Sequence, residues 1–158
     1  MLTPLLLVAA AQATPAAVEF RPDLFFVGRT RGTGTVKTLT AAQPRALQVS
    51  SVGRIEPDGT LVLDQDIRLG GKPQQRTFRI RRSADGGWVG TLSDASGPVS
   101  ASVRGATLSL AYPMKRGGMR MNQTLTLQPG GRTLLNRARV TLLGVTVARI
   151  EETIEKVD

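Results

Sequence analysis

The 158-residue chain holds no cysteine and no histidine, and its 21 basic against 12 acidic side chains give a formal charge of +9. Those two absences exclude disulfides, thiolate metal sites and thiol nucleophiles, and remove the commonest general base and transition-metal ligand. The length suits one domain with a core that needs no staples, and the positive excess favours either anionic partners or plain colloidal solubility.

Met1 to Ala13 carry no charged side chain. The apolar run Leu5-Leu6-Leu7-Val8-Ala9-Ala10, followed by the small-x-small triplet Ala11-Gln12-Ala13, reads as a cleaved export signal over residues 1–13. The run is shorter than the ~18–20 apolar residues of a membrane span. With no cysteine at the cleavage point, the expected product is a periplasmic or secreted protein without a lipid anchor. Residues 14–23, rich in Pro and Ala at their start, read as a linker, and residues 24–158 as the folded domain.

The first strand candidate runs from Leu24 to about Leu39, opening with Phe25-Phe26-Val27-Gly28 and passing through Gly32 and Gly34. Two glycines so close in a strand predict a bend or a tight approach of backbones. Further strands are expected over Leu47–Ile55, Thr60–Leu69, Arg76–Ser83, Trp88–Asp94, Val99–Arg104, Thr107–Lys115, Met119–Gln128, Thr133–Leu143 and Val145–Glu155. The punctuation between them is Pro57-Asp58-Gly59, Gly70-Gly71-Lys72-Pro73, Asp85-Gly86-Gly87, Ser96-Gly97-Pro98, Gly105, Gly117-Gly118, Pro129-Gly130-Gly131 and Gly144. Period-two alternation between such turn residues predicts antiparallel hairpins.

Ten short strands without a helix-length crossover cannot form a parallel sheet. They can form a sandwich or a barrel, and sequential hairpins without a long Greek-key return favour an all-β, antiparallel, up-and-down β-barrel of about eight to ten strands, whose closure also removes exposed edges. Alternation assigns faces: Leu61, Leu63, Ile67 and Leu69 point one way, Asp64, Asp66 and Arg68 the other. Phe78, Ile80, Leu108, Leu110, Tyr112, Met114, Met121, Leu125 and Leu127 extend the apolar face. A membrane-spanning barrel would invert this pattern and require aromatic girdles, which six aromatic residues and a basic exterior do not provide.

The strands carry a collinear set of words: Phe25-Phe26-x-Gly28, Asp58-Gly59-Thr60-Leu61-x-Leu63-Asp64, Arg76-Thr77-Phe78-Arg79-Ile80, and Gly87-Trp88-Val89-Gly90-Thr91. They continue with Asp94-Ala95-x-Gly97, Gly105-x-x-Leu108-x-Leu110-x-Tyr112, and Leu135-Asn136-Arg137-Ala138-Arg139 before Gly144. In these the chain resembles a family of bacterial envelope proteins of unknown function, many of them lipoproteins. The resemblance implies a lipocalin-like barrel and an envelope location. The chain departs from that family in lacking a lipidation cysteine and in carrying Met121-Asn122-Gln123-Thr124-Leu125 where an acidic-aromatic stretch is usual.

Five polar side chains fall on otherwise apolar inner stripes: Gln65, Arg76, Gln123, Asn136 and Glu152. A buried ion needs a partner, so Arg76 and Glu152 are expected to pair, to reach the rim or to meet a ligand. In the ligand reading Arg76 receives a carboxylate or phosphate, Gln123 and Asn136 donate to it, and Tyr112 adds aromatic contact; Trp88, after Gly86-Gly87, either closes a barrel end, the favoured reading, or stacks on the ligand. The structural reading makes the same polar groups an internal bridge that holds strand register.

The hairpin tip Lys115-Arg116-Gly117-Gly118-Met119-Arg120 offers Lys115, Arg116 and Arg120 as candidates for an anionic membrane surface. Arg79, Arg81 and Arg82 form a second basic stripe, but without aromatic platforms nucleic acid is not expected. Asp64 and Asp66 share an outer face, where a solvated strand is expected rather than a metal site. The expectation is therefore an exported barrel without catalytic activity, cofactor or metal, binding a lipid-like or amphipathic small molecule. The competing expectation is a filled barrel that serves as an envelope interaction module through its basic surface.

Overall fold

A computed structural model describes residues 18–158; the 1–13 export segment and the first part of the 14–23 linker lie outside them. A one-turn helix α1 (Pro22–Phe25) precedes ten strands, β1 (Gly28–Thr38), β2 (Arg45–Ile55), β3 (Leu61–Leu69), β4 (Lys72–Arg82) and β5 (Trp88–Leu92). The second half holds β6 (Val99–Arg104), β7 (Thr107–Pro113), β8 (Met119–Leu127), β9 (Thr133–Leu142) and β10 (Val145–Lys156). Each strand pairs with its chain neighbour, and β10 returns to β1 from Thr30↔Lys156 to Thr38↔Ala148, so the antiparallel sheet closes into a barrel. Closure gives every strand a neighbour on both sides, with Lys72–Gln75 of β4 extending past the shorter β5.

The expected turn words all fall at junctions between consecutive strands. Between β9 and β10 the two-residue loop Leu143-Gly144 has φ values of 48° and 82°. Both are positive, as a tight hairpin turn that follows the strand twist requires. Beside it, the ladder slips by one residue between Thr146 and Ala148. β4 starts earlier than expected, at Lys72, because Gly70-Gly71 alone make the turn and Pro73 is already paired with Arg68.

The beginning of the domain differs more. Leu24–Val27 do not extend β1, and residues 18–23 are not a free linker. Phe20, Phe25 and Phe26 are buried together under one barrel end, edge to face, with ring centroids 5.0–6.5 Å apart. Phe20 donates its backbone N–H to Gly105 O at 2.8 Å, and Lys156 Nζ donates to the carbonyls of Phe25 and Val27, both at 2.8 Å. Pro22 opens the helical turn because its fixed φ suits a first helical position. Burying three phenylalanines stabilises this cap by roughly 5–9 kcal/mol before ordering costs, which outweighs the strand pattern of the local sequence.

The interior is divided. All six aromatic residues belong to the closed half, where Leu61, Leu63, Ile80, Leu108, Leu125 and Leu134 complete a packed core. Val36, Leu47, Val49 and Ile67 form a separate apolar cluster in the other half. Between the two lies the polar layer.

Candidate functional site

A cavity of about 410 Å³ opens at the end opposite the phenylalanine cap. Its walls include the second apolar cluster, Val36, Leu47, Val49 and Ile67, with Met119, Met121, Val140, Val147, Ala148 and Ile150. Arg76, Gln123, Asn136 and Glu152 lie among its lining and also line a void of about 50 Å³ in the closed half. These four side chains are thus the shelf between the open and filled halves. The volume falls within the range of about 300–1,000 Å³ typical of small-molecule sites.

Strand register builds the shelf. Gln65 faces Arg76 across β3 and β4, and Asn136 faces Glu152 across β9 and β10. Arg76 Nε donates to Gln65 Oε1 at 2.7 Å, and Gln65 Nε2 donates to Ser51 Oγ at 3.1 Å, so Gln65 orients the guanidinium from behind. Asn136 Nδ2 donates to Glu152 Oε2 at 2.7 Å. The glycine of β1 makes room for that carboxyl: a Cβ at Gly32 would lie 1.9 Å from Glu152 Oε1. Gly34 next to it packs on the backbone of Glu151, which is the close approach predicted from the paired glycines.

The two expected ions do not form a pair. Among the described residues Arg76 meets Asp94, Nη1 to Oδ2 at 3.9 Å, while Glu152 has only its amide partner. β4 and β10 stand on different sides of the ring, whereas Asp94 lies two residues past the end of β5, the neighbour of β4. Burial pushes the Glu152 carboxyl above its ordinary pKa, while the Asn136 hydrogen bond and the Arg76 charge pull it back. Burial likewise raises the Tyr112 phenol, which Arg76 lowers and Asp94 raises. Two acceptors on this lining, Asn136 Oδ1 and Asp94 Oδ1, are buried and have no protein partner. Asn136 spends one amide N–H on Glu152, and its Oδ1 is shielded from the cavity by the surrounding side chains.

Other candidates are redistributed. Trp88 is buried in the closed half beneath Arg82, whose Cζ lies 4.8 Å from the indole centroid, and it does not reach the cavity. Tyr112 lines only the small void below the shelf. At the β7–β8 tip Arg116 lines the cavity mouth, whereas Lys115 and Arg120 are exposed outside it. Asp64 accepts from Arg54 and Thr77, and Asp66 from Gln75; among the described residues no three acidic groups converge on a metal position. The filled-barrel expectation holds for one half of the interior only.

Arg45 and Asp94 also line the cavity, and sequence reading passed over both. Parity would have found them: Arg45 continues the Leu47 and Val49 stripe, and Asp94 continues Trp88, Gly90 and Leu92.

The family model of DUF3833, a protein of unknown function, matches residues 6–156. The chain belongs to this family. A search of the curated proteins found no match. Several solved structures share the DUF3833 chain's fold. The S-type phycobiliprotein lyase CPES of Guillardia theta superposes with a TM-score of 0.66 at 9% identity, over 86% of this chain and 90% of that one. A DUF3598 protein of unknown function from Nostoc punctiforme gives 0.62 at 15% identity over 91% of this chain, which spans 52% of that protein. Rv2717c of M. tuberculosis gives 0.60 at 16% identity, over 87% and 99% of the two chains. These likenesses establish the barrel fold. They also correct the expectation of a protein without catalytic activity: the same architecture carries a lyase, so this fold gives no ground for excluding catalysis.

Proposed function

We propose that this DUF3833 protein binds an amphipathic small molecule in the open half of its barrel, with an acidic head group on the shelf. The observation that carries the reading is the roughly 410 Å³ cavity, walled by aliphatic side chains and floored by a half-buried arginine. Arg76 uses one donor on Gln65, leaving guanidinium N–H groups for a carboxylate or phosphate. Arg45 and Arg116 at the lining make the entrance favourable to an anion. The lipid-like tail would lie along Val36, Leu47, Val49, Ile67 and Val147. In the same reading the protein is exported and works in the bacterial envelope; the apolar segment 1–13 and the family resemblance support that location.

Native mass spectrometry and titration with a dansyl-labelled fatty acid test the proposal. Ala148→Trp, which fills the cavity, should abolish binding, and Arg76→Ala should weaken it at least about tenfold while circular dichroism stays that of the barrel. Unchanged affinity in both folded variants would overturn the assignment.

A further inference from the structure

A second recess lies on the outside of the barrel, away from the ligand cavity. A shallow groove of about 530 Å³ crosses the outer face of β6 to β10. Its floor is made of short hydroxylated side chains, among them Ser109 and Thr124, and its β9–β10 side is walled by Arg137, Arg139 and Arg149. Small residues beside long ones on a curved sheet make the depression.

The register makes this wall unusual. Arg139 stands directly opposite Arg149 across β9 and β10, and Arg149 stands directly opposite Lys37 across β10 and β1. All three side chains are exposed. Directly opposed like charges destabilise a sheet, so this row works against folding stability. None of the ion pairs among the described residues involves Lys37, Arg137, Arg139 or Arg149. Glu151 is the sole acid on the groove lining, opposite Arg137 in register but outside ion-pair distance.

We infer that this groove is a binding site for a short soluble oligoanion carrying several phosphate or sulfate groups. Guanidinium groups grip such oxygens in bidentate fashion, and the hydroxyls of Ser102 and Ser109 supply further donors on the floor, while the Thr124 hydroxyl is engaged by the Arg137 carbonyl. The aromatic residues are all in the core, so the groove has no surface on which a nucleobase would stack. Its concave floor fits an extended chain better than a flat bilayer. Bound anions would also neutralise the opposed row, so occupancy should stabilise the fold.

Isothermal titration of the full protein with sodium tripolyphosphate tests the site. The variant Arg139→Ser/Arg149→Ser should lose about tenfold or more in affinity, and the slope of log affinity against log salt should shrink by about two. The control is Arg68→Ser/Arg81→Ser, equal in lost charge but on β3 and β4 across the ring; it should change affinity less than about threefold. Without anion the groove variant should melt higher than wild type, and tripolyphosphate should raise the wild-type melting temperature more than the variant's. Dansyl fatty-acid binding in the cavity should be the same in both variants, separating this site from the one on the shelf. Equal losses in the two charge-matched variants would reduce the effect to overall charge and overturn the proposal. So would binding confined to phosphatidylglycerol vesicles with none to tripolyphosphate.

Discussion

Glu152→Gln isolates the least expected group in the barrel, a carboxyl buried to 9% exposure with an amide as its hydrogen-bond partner. Burying a carboxylate costs several kcal/mol after relaxation. One hydrogen bond to a charged group returns about 1.5–3 kcal/mol, and Arg76 adds a further part across a distance too great for an ion pair. The ionised form is then left about 1–3 kcal/mol worse off in the native state than in water. Because the native pKa is raised, the folded protein holds this proton over a range where the unfolded chain has lost it. Its contribution is therefore greatest below the ordinary glutamate value and is lost as pH rises through the raised one. A glutamine amide keeps an acceptor for Asn136 and removes the charge. Urea unfolding should show the two proteins within about 0.5 kcal/mol at about pH 4, and the variant more stable by about 1–3 kcal/mol at about pH 8. A variant less stable than wild type at the higher pH would show that Glu152 works as a net stabilising ion, and the account of the shelf would fail.

Gly53→Ala should loosen the closed end, because its Cβ would lie 1.8 Å from Phe26 O, a backbone atom that cannot swing aside. The expected loss is about 3 kcal/mol, with faster amide exchange at Phe20–Phe26 than in β8 and β9; a loss below about 0.5 kcal/mol would refute the cap as drawn. Tyr112 is the single tyrosine and is 2% exposed, so phenolate absorbance reports one group. Burial raises its pKa, so the unfolded chain ionises first and stability falls as pH climbs above the ordinary tyrosine value. The absorbance step should coincide with unfolding, and an earlier reversible step in the folded protein would place the hydroxyl in contact with solvent.

Much of the barrel was legible because its information is local. Glycine and proline words set where hairpins turn, and alternation set which side chains face inward: Leu63 and Leu110 are 3% and 8% exposed, as their stripes required. The same parity put Gln65, Arg76, Gln123, Asn136 and Glu152 inside without any knowledge of their partners. It fell short at Leu24–Val27, where apolar residues resemble a strand yet fold as a cap. The catalytic exclusion failed for another reason: composition removes particular chemistries, not catalysis as a class.

Alternation and turn chemistry by themselves set a run of hairpin-linked antiparallel strands, favoured a barrel of about eight to ten of them, and placed polar residues on its inner stripes. Height along the barrel axis is a separate coordinate, set by strand tilt and stagger that appear only when the ring closes. The tertiary structure therefore decided that Arg76 meets Asp94 and not Glu152, and that Trp88 lies at the capped end. It also decided that one half is packed solid by aromatic residues while the other, lined by smaller aliphatic side chains, stays open.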